Sequence, residues 1–173
     1  MELIKGPYDD GLFFDVGWET DILPYLPKES KVILQHYLND PISKAKLNST
    51  NAKGETTVID LHGPFFLIPT PDDYNLISVN EFISIVEEAI GKLAEPDDTE
   101  EIVIELELFK QAIIDRIVNN EVLKTSDIFC LKWSYQYDSK RQFDDLFQYD
   151  YYVEFIFINL SLNKIYKAVL GAD

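Results

Sequence analysis

One stretch near the end of the chain, YYVEFIFINLSLNKIYKAVL at residues 151–170, constrains the fold most. Side chains of a β-strand alternate between its two sides. Here both sides are apolar, with Val153, Phe155 and Phe157 on one and Tyr152, Ile156 and Ile158 on the other. We therefore expect a central strand, covered on both faces. Residues 159–164 favour a turn, so residues 165–170 can return as an antiparallel partner in a central hairpin.

Two segments predict helices. The clearer one is Ser78–Ala94, where Ser78 and Glu81 have the spacing of a capping box, in which each side chain binds a backbone N–H at the helix start. Apolar residues then follow at helical spacing in one stripe, so this helix should cover one face of the sheet. Residues 28–39 predict a shorter helix that ends before Pro41.

The pattern of residues 99–119 is ambiguous. Apolar residues alternate like those of a strand over residues 102–108, yet Ile102, Leu106 and Phe109 have helical spacing. We favour a helix, because good helix formers dominate and no breaker interrupts the segment. A strand over residues 99–108 is the alternative.

The other strand patterns are short and separated by turn-forming residues. They lie at residues 11–17, expected at a sheet edge, at residues 42–49 and 56–62, expected to form a hairpin, and at residues 128–137, expected beside the central hairpin. Residues 18–27, with two prolines, should pack as a loop. Because strands and helices come in separate runs, we predict a single α+β domain over residues 1–173, with two or three helices packed on one face of a mostly antiparallel sheet.

The charge of the chain narrows its class of partner. Thirty-one acidic and 15 basic residues give a formal net charge of -16, which repels nucleic-acid phosphates and anionic membranes. No segment reaches the ~20 apolar residues of a membrane-spanning helix. The N-terminal residues lack the pattern of a leader, and the only cysteine is Cys130, so we expect a cytoplasmic protein with no internal disulfide. A homo-oligomer is left open.

Residues suited to catalysis or metal binding are sparse. Asp60 and His62 lie two apart on a predicted strand, where a carboxylate could orient a histidine base or both could bind a metal. Such chemistry needs a third partner, and the other histidine, His36, is distant in sequence. No nucleophile elbow or glycine-rich phosphate loop occurs. We therefore expect neither cofactor nor metal, an edge-strand role for His62 and a buried thiol at Cys130.

Two acidic segments suggest contacts with a basic protein. Seven carboxylates lie between residues 95 and 107, and residues 135–152 combine aromatic residues with aspartates. Carboxylates speed association with a basic partner, and aromatic residues anchor interfaces. The residues expected to contact a partner are Asp97, Asp98, Glu101, Asp144, Asp145, Phe147, Tyr149 and Asp150. The plainer alternatives are a helix N-terminus with a solvated face, and a connector whose aromatic residues fill the core.

Three functions fit these patterns. The first is an acidic interaction protein that binds and blocks a basic protein, as a small immunity-type inhibitor of a toxin does, and the missing catalytic motifs favour it. The second is a small-ligand-binding protein or hydrolase-like enzyme with a site near Asp60 and His62. The third is a structural subunit of an obligate oligomer.

The predicted hairpin contains three lysines, at positions 44, 46 and 53. They fit protection of an exposed strand edge better than a binding site for an anion.

Overall fold

The computed structural model describes residues 2–7, 12–21, 29–51, 53–65, 67–94, 98–132 and 151–172. The strands in these ranges are β1 (Glu2–Lys5), β2 (Phe13–Asp21), β3 (Ala45–Thr50), β4 (Thr56–Leu61), β5 (Tyr74–Ile77), β6 (Asp127–Leu131), β7 (Tyr151–Asn159) and β8 (Lys164–Ala172). The helices are α1 (Ser30–Asn39), α2 (Val79–Leu93), α3 (Glu100–Val118) and α4 (Glu121–Lys124). None of the helices in this part of the chain has the length and apolar character that crossing a membrane requires.

Six strands form one antiparallel sheet in the order β1-β2-β8-β7-β6-β5. Its centre is the β7–β8 hairpin, which pairs Tyr151 with Ala172 at one end and Asn159 with Lys164 at the other. Asn163 closes the turn in the left-handed conformation, with φ 59°, which asparagine tolerates better than most residues. The predicted antiparallel α+β fold and its central hairpin are confirmed.

The strand predicted at residues 11–17 differs from the expectation in place and in length. It is an inner strand, β2, because β1 pairs along its outer side. It also continues through residues 18–21, which we expected in a loop. The pairing with β8 resumes after an irregularity between Gly17 and Thr20, which prolongs the strand to Asp21.

Strand β7 contributes to two hydrophobic cores. Phe155 and Phe157 pack with α2, α3 and α4, whereas Ile156 and Ile158 pack with α1. Because successive side chains of a strand point to opposite sides, the helices cover both faces of the sheet. Two of the long helices, α2 and α3, thus share one face as expected, and α1 lies on the opposite face.

The helical predictions are confirmed in detail. Ser78 and Glu81 form the capping box at the start of α2, with the Ser78 side chain accepting from the Glu81 N–H and the Glu81 carboxylate accepting from the Ser78 N–H. The ambiguous segment, residues 99–119, forms helix α3 with its two capping residues. The helix begins after Thr99, whose side chain accepts a hydrogen bond from the N–H of Ile102. Its buried residues, Leu106, Phe109, Ile113 and Ile117, follow the helical spacing.

Strands β3 and β4 form a separate two-stranded sheet, here called the arm (residues 45–61). Its loop is closed by a backbone hydrogen bond of 2.9 Å from Gly54 to Asn51, and Gly54 has φ 80°. The hairpin predicted at residues 42–49 and 56–62 is therefore confirmed, with slightly shifted ends. Of the strand predicted at residues 128–137, residues 128–131 lie in β6, and residues 133–137 lie outside the described ranges.

Candidate functional site

Glu154 is a charged residue in the middle of β7, a strand in which most residues are buried. It lies on the same side of β7 as Tyr152 and Ile156, and therefore faces the core that contains α1. Lys167 on β8 pairs with Ile156, so its side chain is a diagonal neighbour of Glu154 on that face. The antiparallel register alone thus brings the basic side chain of Lys167 beside this carboxylate.

Each oxygen of the Glu154 carboxylate accepts two hydrogen bonds. Oε1 lies 2.7 Å from His62 Nε2 and 2.6 Å from the Tyr74 hydroxyl. Oε2 lies 2.6 Å from the Tyr152 hydroxyl and 2.6 Å from Lys167 Nζ. These five residues are here called the Glu154 hub. Glu154 and His62 are fully buried, and the four donors match the acceptor capacity of an ionised carboxylate.

A tight turn after the arm places His62 against the sheet. The backbone of His62 donates to the Phe65 carbonyl at 2.8 Å and accepts from the Phe65 N–H at 3.0 Å. Gly63, between them, has φ 55°, and a Cβ atom at this position would overlap the Tyr152 hydroxyl. Two features therefore require glycine at position 63: the backbone conformation and the close approach of Tyr152. The Phe65 ring also meets the Tyr152 ring edge-on, with centroids 5.6 Å apart.

The hub stabilises the ionised form of Glu154. Burial by itself would raise the pKa of this carboxyl, but the charge of a protonated His62, the charge of Lys167 and the hydrogen bonds from both outweigh it and hold the pKa well below its usual range. Burial and then the negative charge of Glu154 raise the pKa of Tyr74 and of Tyr37 well above that of a free tyrosine. Both phenols consequently stay neutral, and Tyr74 acts as a donor to the carboxylate.

His62 has one ring nitrogen in use and one without a partner. Nε2 must donate to the ionised carboxylate, while Nδ1 is buried and makes no hydrogen bond to any described residue. In the neutral ring, Nδ1 then carries a lone pair. A carboxylate that holds one nitrogen while the other accepts a proton is the arrangement of a histidine general base. Because His62 is fully buried, the described conformation shields this lone pair from solvent.

The structure separates the two residues that the sequence suggested as a pair. Asp60 is exposed, and its carboxylate lies 3.9 Å from Lys44 Nζ, whereas His62 is buried against Glu154. The orienting carboxylate is thus Glu154. Among the described residues, no three His, Cys, Asp or Glu side chains are grouped so that they could hold a metal ion. Cys130 is buried, and burial, with a smaller contribution from the charge of Glu154, raises its pKa to about 12.

A second feature is the side of α3 that points away from the core, here called the outer face of α3. Its residues are Glu100, Glu101, Ile104, Glu105, Leu108 and Gln111, all exposed. Ile104 is 54% exposed and Leu108 is 65% exposed. Since Ile104 and Leu108 lie four positions apart, their side chains are neighbours one helical turn apart. They form an apolar ridge between carboxylates.

Only part of the predicted partner-binding set falls within the described residues. Glu101 is exposed on α3, and Asp98 is half-buried just before that helix. The remaining members lie outside the described ranges: Asp97, Asp144, Asp145, Phe147, Tyr149 and Asp150.

The sequence interpretation missed Glu154, Lys167 and Tyr74. A signal for the first was present, because a glutamate between Val153 and Phe155 interrupts a strand that is apolar on both sides. Buried acids are almost always paired. The partners were not evident, because Tyr74 and His62 are distant from Glu154 in sequence.

The Glu154 hub and the outer face of α3 are the two candidate sites among the described residues. Comparison with protein-family models, with curated proteins and with solved structures finds no match to this chain.

Proposed function

We propose that this protein binds and blocks a basic protein, as an immunity-type inhibitor would, and that the outer face of α3 is a contact surface. The observation that carries the proposal is the exposed pair Ile104 and Leu108, which lies opposite the buried side of the helix. Neither side chain packs in the core of the fold. A structural role in this domain therefore does not account for two large apolar residues at these positions.

The adjacent positions of Ile104 and Leu108 on the helix distinguish this ridge from a single exposed apolar residue. Single exposed apolar residues are common on protein surfaces. Here two of them are adjacent, and Val103 extends the apolar surface on one flank. The packing of α3 is already complete through its opposite side, which includes Phe109 and Ile113. The ridge is thus available for an apolar contact with another protein.

The surrounding charges indicate the chemistry of the partner. Glu107 is engaged by Lys110 at 2.5 Å within α3, but no ion pair joins Glu101 or Glu105 to another described residue. Arginine or lysine side chains of a partner can form ion pairs with Glu101 and Glu105. The formal net charge of -16 adds long-range attraction for a basic protein. Apolar anchors within a polar rim are the usual anatomy of a protein interface.

The test starts from capture experiments with matched variants. Immobilised wild-type protein, the double variant Ile104→Ser/Leu108→Ser and the variant Leu76→Ser are incubated with lysate of the native cell, and bound proteins are quantified by mass spectrometry. Leu76, on β5, is 63% exposed and so controls for the loss of exposed apolar area. A basic protein retained by wild type and Leu76→Ser, but lost from the double variant, supports the proposal. Equal capture by all three proteins contradicts it.

Association kinetics with the purified partner test the electrostatic part. Glu101→Gln/Glu105→Gln should slow association and flatten its dependence on salt, since both carboxylates steer the encounter. Glu87 is an exposed acid on α2, and Glu87→Gln is the control for a change in net charge. If the control slows association as much as removal of Glu101 and Glu105, long-range net charge rather than this face is responsible. Variants at Asp144, Asp145, Phe147, Tyr149 and Asp150 extend the test to the other predicted contacts.

A second candidate function is a small-ligand or hydrolase-like site at His62, for which Glu154 rather than Asp60 would be the orienting group. One observation favours it: the buried Nδ1 without a partner among the described residues. Diethyl pyrocarbonate tests access, because it acylates neutral imidazole, and exposed His36 is an internal standard. If small molecules reach the hub, His62 is modified at a rate comparable to that of His36. Modification of His36 alone in the native protein argues against this site.

A further inference from the structure

Five exposed residues of α3 form one stripe along the helix. They lie alternately three and four positions apart and are here called the α3 seam: Glu101, Ile104, Leu108, Gln111 and Asp115. This heptad spacing is that of the residues through which one helix meets another in a coiled coil. The α3 seam is about 21 Å long, given the rise per residue of an α-helix. A second helix packed along this side of α3 would contact these residues.

The α3 seam lies opposite the side of the helix that packs in the core. The buried residues of α3 are Leu106, Phe109, Ile113 and Ile117. At about 100° per residue, their mean direction differs from that of the seam by about 165° around the helix axis. All five seam residues are exposed. The seam is thus left uncovered by the described residues.

Apolar residues occupy only the centre of the α3 seam. Ile104 and Leu108 lie on successive turns, whereas Glu101 stands at the N-terminal end. At the C-terminal end Gln111 donates a hydrogen bond of 2.9 Å to the carboxylate of Asp115. Two apolar residues four positions apart form a ridge that fits the groove between the ridges of another helix. The apolar contact therefore extends over two turns.

Glutamates flank the apolar centre on both sides. The heptad positions beside the seam carry Glu100, Glu105 and Glu107. In paired helices the side chains at these flanking positions form ion pairs across the interface, and so set which partner binds. Glu107 is engaged by Lys110 within α3. Glu100 and Glu105 are exposed and make no ion pair with another described residue, so both are available to bases of a partner.

Charge excludes a second copy of this chain as the second helix. Whether two α3 helices ran parallel or antiparallel, glutamates at the flanking positions of one would face glutamates of the other. The formal net charge of -16 adds long-range repulsion between copies. A helix with lysine or arginine at its flanking positions meets attraction at both ranges. The charges of this surface thus favour a different, basic chain.

The backbone of α3 restricts how a partner can bind. The N–H and C=O groups within a helix bond to each other, so α3 offers a partner its side chains and no edge for an added strand. A helix of the partner presents its own side chains at the same spacing. Its apolar residues can therefore contact Ile104 and Leu108 on both turns at once.

We propose that the segment of the partner that binds the outer face of α3 is a basic amphipathic helix. Its apolar residues pack against Ile104 and Leu108, and its lysine or arginine side chains form ion pairs with Glu100 and Glu105. This inference rests on the function proposed above, because it specifies the partner of the same face.

A designed peptide tests the proposal directly. The probe has three heptads, with leucine at the seam positions and lysine at the flanking positions, where the lysines keep it from pairing with itself. Fluorescence anisotropy measures its binding to wild type, to Ile104→Ser/Leu108→Ser and to Leu76→Ser, a control for lost exposed apolar area. The double variant should bind at least tenfold more weakly than the other two proteins. Absence of binding to wild type, or equal binding to all three, overturns the proposal.

A helix-breaking peptide tests whether the partner must be helical. It differs from the probe by one proline at a central position that faces away from the seam, which keeps the charge but interrupts the helix. It should bind wild type at least tenfold more weakly than the probe. If it binds as tightly, charge alone holds the peptide, and the helical partner is wrong.

A charge exchange tests the flanking positions. Glu100→Lys/Glu105→Lys should lower the preference for the probe, relative to a peptide with glutamate in place of its lysines, at least tenfold. Asp60→Lys/Glu87→Lys is the matched control, because it alters the net charge equally at two exposed acids outside α3. It should retain the preference of wild type. An equal loss in both double variants would assign the selection to net charge and overturn the proposed ion pairs.

The capture experiment described above distinguishes failure of this inference from failure of the proposed function. If a basic protein is captured through Ile104 and Leu108 but the probe does not bind, the function stands and the helical partner is wrong. If the probe binds at the seam but no captured basic protein depends on these residues, the proposed function fails and the preference of this face for a basic helix stands.

Discussion

His62 and Glu154 are 92 positions apart in the sequence, and in the core their Nε2 and Oε1 atoms are 2.7 Å apart. The contact joins the turn at the root of the arm to the central strand of the sheet. Tyr74 on the edge strand β5 donates to the same carboxylate oxygen. A single ionised side chain thus connects segments that no local interaction holds together.

Glu154→Gln should lower the free energy of unfolding by about 3–5 kcal/mol, because removing one partner of a buried ion pair leaves the others without a counter-charge. Urea denaturation measures the change. Glu87→Gln, on the exposed side of α2, should change the free energy by no more than about 0.5 kcal/mol. Similar effects of the two variants would show that the hub contributes little to stability.

The ionisation of Glu154 should make its contribution to stability depend on pH in the acid range. Its pKa is depressed in the folded protein relative to the ordinary value of 4.5, so its ionised form stabilises the fold at neutral pH, and protonation in the unfolded chain begins first as the pH falls. The difference in unfolding free energy between wild type and Glu154→Gln should shrink as the pH falls below about 4.5. A difference that does not shrink as the pH falls from about 4.5 to about 3 would contradict this assignment.

Two glycines with positive φ offer a matched test of the turn that holds His62. Gly54 has φ 80° with open space around its Cβ position, whereas Gly63 has φ 55° and faces the Tyr152 hydroxyl. Gly54→Ala should cost about 1 kcal/mol, from the left-handed conformation alone. Gly63→Ala should cost at least about 2 kcal/mol more, because Tyr152 must move away from Glu154. Equal melting temperatures for the two variants would count against close packing at Gly63.

Cys130 should react slowly with alkylating reagents while the protein is folded. The rise of its pKa from 9.0 to about 12 lowers the reactive thiolate fraction at pH 8 about 10³-fold, and burial restricts access further. Iodoacetamide labelling followed by mass spectrometry measures the rate, and the same protein in concentrated urea is the reference, since the chain has one cysteine. A native rate within tenfold of the unfolded rate would place this thiol at the surface.

Patterns with a short period were predictable from the sequence. The two-sided apolar alternation of residues 152–158 identified the central strand, and the Ser78 and Glu81 spacing identified the start of α2. Both signals depend on residues within a few positions of each other. The ambiguity over residues 99–108 arose because Ile104 and Leu108 are apolar without being buried, which imitates a strand pattern on the exposed side of a helix.

Relationships between distant segments were not predictable in the same way. Nothing near Asp15 reveals that β1 covers the outer side of β2, since the pairing depends on residues 2–5. Asp60 seemed the natural partner of His62 because it is near in sequence. In the fold Asp60 is exposed, whereas His62 is buried against a carboxylate supplied by another strand.

Strand β7 provides side chains to both hydrophobic cores, so the stability of each core depends on the other. Unfolding of α2 and α3 would expose one side of β7, the strand against which α1 packs, and unfolding of α1 would expose its other side. Amide protons of β7 should accordingly be the last to exchange with heavy water, released only when the whole molecule opens at once.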